Sequence, residues 1–142
     1  MIFISDFGCS ISDLFFLIIM SRPYPIPQTV QPRSWDDIEQ YYIRLNEGGI
    51  KQDNFLELIR YIRSSGISIR LFACTSLDKL VISIYNPIEW ERETLHIEFD
   101  RSSQKWHFKY YPKPFEKVEF ERTYPADKGI EKLDAFIKLM RW

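Results

Sequence analysis

Residues 93–111 read Glu-Thr-Leu-His-Ile-Glu-Phe-Asp-Arg-Ser-Ser-Gln-Lys-Trp-His-Phe-Lys-Tyr-Tyr, and this stretch decides the fold. Leu95, Ile97 and Phe99 alternate with Thr94, His96 and Glu98, then Trp106, Phe108 and Tyr110 alternate with His107 and Lys109. A period of two with apolar residues on one side is the pattern of a strand half-buried against a core. The polar run 101–104 between the two segments is a turn, so the pair reads as an antiparallel hairpin. Paired across this four-residue turn, Asp100 faces Lys105, Phe99 faces Trp106 and Ile97 faces Phe108, so apolar residues meet apolar ones as register requires. On the other face that register sets Glu98 against His107 and His96 against Lys109.

Upstream, 67–72 alternates around Ile67, Ile69 and Leu71 and is expected to be a first strand, with a turn through 75–78. A second strand is expected over 80–85, rich in β-branched residues and ended by Asn86-Pro87. Downstream, Pro112-Lys113-Pro114 predicts a tight reversal into a fifth strand over 115–122, with Val118 and Phe120 inward. That reversal would bring Glu119 beside His107 and Glu121 beside Lys105.

The flanks change period from two to 3.6. Ser34 is a good N-cap, with Asp37 three residues on, and Trp35, Ile38, Tyr42 and Leu45 follow at helical spacing until Gly48-Gly49. A second helix begins near Asp53, carries Phe55, Leu58, Ile59 and Ile62 on one side, and stops at Gly66. A last helix follows Pro125, with Ile130, Leu133, Phe136, Ile137 and Met140 as its apolar stripe. Hairpin-length connections exclude parallel pairing, which needs crossovers of a dozen or more residues. The expected fold is therefore α+β: two N-terminal helices, a five-stranded antiparallel meander, and a C-terminal helix packed on one sheet face.

Residues 34–142 are expected to form a single α+β domain, and 1–33 an N-terminal extension with a proline-rich lead-in. Pro23, Pro25, Pro27 and Pro32 forbid a helix over 22–33 and favour a stiff extended segment. The apolar run 14–20 is well short of the roughly 20 residues of a spanning helix. It also lacks the basic flank and cleavage site of a signal peptide. A start of translation at Met20 would remove it, and peptides from 1–19 in a mass spectrum of the native protein would exclude such a start.

The chain has 142 residues, 45% of them hydrophobic and 16% aromatic, enough for one well-filled core. Lys and Arg number 19 against 20 Asp and Glu, a net charge of −1, which argues against a dedicated nucleic-acid binder. Lys105, Lys109, Lys113 and Lys117 do alternate with aromatics, but Glu98, Asp100, Glu116, Glu119 and Glu121 cancel their field. The cysteines, Cys9 and Cys74, form no metal-binding or redox spacing and are expected to be reduced, which places the protein in the cytoplasm. No membrane association and no cofactor is expected, and the oligomeric state is not legible.

Two chemistries compete for the face shared by the two histidines. His96, His107, Glu98 and Glu119 are the residue types that ligate a divalent metal or pair as general acid and base. The simpler reading is a solvated lattice of opposite charges. The common nucleophile, zinc-protease and phosphate-cradling motifs are missing. Trp90 falls outside any alternation, as a contact anchor would. The expectation is a non-enzymatic protein-interaction or regulatory module, immunity-, adaptor- or chaperone-like. Its candidate binding residues are Trp90, His96, Glu98, His107 and Glu119, and its partner is a protein. The alternative is a small-molecule-binding or metal-dependent catalytic domain, using a pocket lined by the sheet aromatics or the His96/His107 face.

Overall fold

The computed structural model describes residues 29–89, 92–112 and 120–142. Cys9, Trp90, Glu119 and the reversal expected at Lys113-Pro114 lie outside them. The chain enters through β1 (Thr29–Val30) and forms α1 (Trp35–Glu47) and α2 (Asp53–Ser65). The strands β2 (Phe72–Ser76), β3 (Lys79–Ser83), β4 (Ile88–Glu89), β5 (Thr94–Asp100), β6 (Lys105–Tyr111) and β7 (Phe120–Pro125) come next, and α3 (Gly129–Met140) is last.

Helix α1 starts where the sequence places it, because the Ser34 hydroxyl accepts the Asp37 backbone N–H at 3.0 Å and satisfies an otherwise orphaned donor. Helix α2 ends at Gly66, whose φ of +85° is open to glycine without strain. Among the described residues β2-β3-β5-β6-β7 form an antiparallel meander, and β1 pairs separately with β4. The hairpin register is the expected one throughout, including Glu98 with His107 and His96 with Lys109.

Two strands sit elsewhere than expected. Residues Ile67–Ile69 form a 3-10 turn, with Ile69 84% exposed, and the first strand of the sheet is Phe72–Ser76. Having turned sharply at Gly66, the chain needs those residues to swing back under the helices. The fifth strand is described over Phe120–Pro125, and its register differs from the expected one: His107 faces Thr123 and Lys109 faces Glu121. The displacement is four residues, an even number, and the two faces of β7 are therefore preserved. The observed register lays Tyr124 beside Trp106 and Phe120 beside Tyr110, which gives two large apolar side chains a place in the core.

The inner face of the meander is sealed by the three helices. Tyr42 stacks on Phe55 at 4.6 Å, Phe55 meets the edge of Trp106 at 5.0 Å, and the Trp106 indole N–H donates to the Ala126 carbonyl at 3.0 Å. Phe136 of α3 packs against Tyr110 and Trp142 at the other end. The aromatics expected to line a pocket, Trp106, Phe108, Phe120 and Tyr110, are thus packed against one another and the helices.

The outer face has its own partial cover. Cys74, Val81 and Ile88 are fully buried there with Val30 and Phe72 against them, because the small β1–β4 ribbon lies over the β2–β3 half. In the proline-rich lead-in, Thr29 and Val30 pair with Glu89 and Ile88, and the Arg33 N–H donates to the Ala73 carbonyl at 2.9 Å. Cys74 is disulfide-bonded, which corrects the expectation of reduced thiols.

Candidate functional site

The pairing register lays the outer-face polar residues in rows across the strands. One row runs from Lys79 on β3 through Glu98 and His107 to Thr123 on β7, and its neighbour runs through Val81, His96, Lys109 and Glu121. Two turns rise at the same end of these rows. One is the Leu77-Asp78 tip of the β2–β3 hairpin, and the other is the 101–104 turn between β5 and β6. Between them lies a depression of about 680 Å³ lined by Asp78, Glu98, Phe99, Asp100, Arg101, Ser102, His107, Lys109 and Glu121.

Charge is the dominant character of this depression. Glu98 is held by Lys79 at 3.1 Å and Glu121 lies 3.9 Å from Lys109. Asp100 accepts from the Ser102 N–H at 3.0 Å, the Ser102 hydroxyl at 2.7 Å and the Ser103 hydroxyl at 2.9 Å. Stabilised first by the Ser102 and then by the Ser103 hydroxyl, its carboxyl is drawn down to about 2 and is ionised at any ordinary pH. The ring Nδ1 of His107 lies 3.3 Å from the Thr123 hydroxyl.

His96 occupies a different environment. Sequence alternation puts it outside, beside His107, and it does lie on the outer face. It is nevertheless only 9% exposed, between Val81, Lys109 and the Tyr111 ring, whose centroid is 4.5 Å away. Its Nε2 lies 3.3 Å from the Thr94 hydroxyl, and its Nδ1 finds no hydrogen-bond partner among the described residues. Burial, reinforced by the positive charges of Lys79 and Lys109, pushes its pKa down to about 3. The imidazole is therefore neutral and closed off from a ligand on the surface.

Of the five candidate residues, Glu98 and His107 meet in the depression, His96 lies beneath the surface beside it, and Trp90 and Glu119 are outside the described residues. Among the described residues no three His, Cys, Asp or Glu side chains converge closely enough to hold a metal ion. Two charged contributors escaped the sequence reading, Asp78 and Arg101. Their signal was weak, since each lies in a turn and only the pairing of non-adjacent hairpins brings the two turns together.

No family model, no curated protein and no solved structure matches this chain. Among the described residues no helix is long and apolar enough to cross a membrane.

Proposed function

We propose that this chain is a non-enzymatic protein-interaction module, immunity-, adaptor- or chaperone-like in kind, that recognises its partner through the outer face of β5, β6 and β7. A single contrast supports the reading. The inner face is filled and sealed by helices, whereas the outer face opens into a depression of about 680 Å³ walled by charges of both signs. Interleaved charges give orientation and discrimination between partners more than raw affinity. The partner is read as a protein rather than a nucleic acid, because Glu98, Asp100 and Glu121 stand among Lys105 and Lys109 and would repel phosphates.

The test is co-purification with the full chain from its native cell, comparing the parent with a Glu98→Lys, His107→Glu double variant. A stoichiometric protein partner that the double variant loses supports the reading. A clean monomer, or a partner held equally by both forms, overturns it.

A cytoplasmic setting belongs to the same proposal, but the disulfide at Cys74 favours an oxidising compartment. Thiol labelling of freshly extracted protein under denaturing conditions decides the point: Cys74 modified without added reductant sustains the cytoplasm, and Cys74 modified only after reduction excludes it.

A further inference from the structure

We propose that Leu77 is the anchor of this surface, an apolar knob that seats in an apolar socket of the partner protein, the rim of that socket carrying lysine or arginine. The inference rests on the outer-face reading and names the chemistry of what it binds.

The backbone at this position is strained. Leu77 has φ +57°, in the left-handed region where a Cβ crowds the following carbonyl oxygen. Glycine, asparagine or aspartate is the ordinary choice at such a hairpin tip. A leucine there recovers little by burial, since the residue is 59% exposed. Ile50, Ile69 and Leu139 are the other exposed large apolar residues among those described; none has a positive φ, and none adjoins in the chain a residue that lines the depression, as Leu77 adjoins Asp78. Among the described residues, Leu77 alone combines backbone strain, exposure and a place next to Asp78 on the depression's wall.

Strain of this kind persists only where surrounding structure enforces it. Here α1 does so. The Tyr41 hydroxyl donates to the Leu77 carbonyl, and the Tyr42 hydroxyl donates to the Asp78 carbonyl at 3.1 Å. Tyr42 is itself fully buried against Phe55. Two adjacent residues of a packed helix thus clamp both carbonyls of the tip. A knob fixed in this way loses little conformational freedom on binding, which is the physical advantage of preorganisation.

The charge around the knob defines the partner's rim. The depression beside it is lined by the carboxylates of Asp78, Glu98, Asp100 and Glu121 against the cations Arg101 and Lys109. Of these charges Asp78, Asp100 and Arg101 form no ion pair among the described residues, two carboxylates against one cation. A complementary surface therefore carries positive charge around an apolar hole.

The experiment places a photo-crosslinking benzoylphenylalanine at position 77 of the full chain, with matching versions at Ile69, Leu139 and His107, each irradiated in native extract. The expected result is one protein adduct at position 77, absent at 69 and 139. It should disappear when Asp78→Lys and Asp100→Lys are added, and should map to an apolar segment flanked by Lys or Arg. Equal adducts at 69 and 139, an adduct of two copies of this chain, or a crosslinked segment without basic flanks overturns the proposal. An adduct at 107 with none at 77 removes Leu77 but leaves the outer-face reading standing, and silence at both positions removes both. Leu77→Asn supplies a readout that a purely structural role would not move. Asparagine tolerates the left-handed backbone, so the melting midpoint should stay level or rise, while partner retention falls by about tenfold or more. Undiminished retention by a well-folded Leu77→Asn protein overturns the proposal as well.

Discussion

His96 shows how one residue can carry a pH dependence for the whole molecule. In the folded protein its ring resists protonation down to about pH 3, while in the unfolded chain it takes a proton near 6.5. Between those values the unfolded state binds more protons, so stability rises with pH across the window. His96 therefore costs nothing above pH 6.5, and its penalty grows as pH falls toward 3. The slope is up to about 1.4 kcal/mol per pH unit. Denaturant titrations at pH 7, 6 and 5 should show this loss before the carboxylates begin to titrate. His96→Leu should flatten that part of the profile, and an unchanged slope would mean that His96 is not the group responsible. Gly129 offers a second residue-scale test. It is an ordinary helical position, where alanine alone would be favourable by about 1 kcal/mol. A Cβ there, however, would lie 2.5 Å from the Trp106 indole nitrogen, and that ring is held in place by its bond to Ala126. Gly129→Ala is expected to destabilise by about 1–3 kcal/mol, with a lower melting temperature and a perturbed Trp106 fluorescence.

Among the elements, the α1 helix and the β2–β3 hairpin are the pair whose docking positions the depression. Tyr42→Phe removes the hydroxyl that holds the Asp78 carbonyl and little else. It should cost about 0.5–1.5 kcal/mol, and more if the carbonyl is left unsatisfied. Amide exchange should rise at residues 77–79 more than at β5 or β6, and uniform exchange across the sheet would argue against a clamp. The elements also show why parts of the fold were legible. The β5–β6 hairpin was readable to the residue because the four-residue turn 101–104 sets which residues face each other, and that register brings Leu95, Ile97 and Phe99 onto Tyr110, Phe108 and Trp106. Phe120–Pro125 was misplaced by four because an even shift leaves inside and outside unchanged, so alternation alone cannot choose between the two registers. The alternation of Ile67, Ile69 and Leu71 was misleading for a related reason. Three spaced apolar residues fit a strand, yet the chain leaves Gly66 as a 3-10 turn that places Ile69 in water.

At the level of the whole molecule the decisive feature is the inequality of the two sheet faces. The inner face takes the cover of α1, α2 and α3 and closes around Trp106 and Phe108. The outer face is divided: the β1–β4 ribbon shields Cys74, Val81 and Ile88, and the remainder stays polar and open. His96 sits at the border between the two regimes, which is why a residue of polar alternation became a buried one. Glu98 and His107, in the neighbouring row across β5 and β6, lie on the open side and line the depression.

Alternation, helical spacing and caps by themselves determined the α+β class, the helix ends at Ser34 and Gly66, the hairpin register and the opposition of Glu98 to His107. Each of these comes from local geometry and from the need to put apolar side chains on one side. Only the tertiary structure decided that His96 is covered, that the turns bearing Asp78 and Arg101 wall one depression, and that Leu77 is clamped in a strained, exposed position. Those outcomes depend on elements far apart in the chain coming into contact, and short-range periodicity holds no information about such contacts.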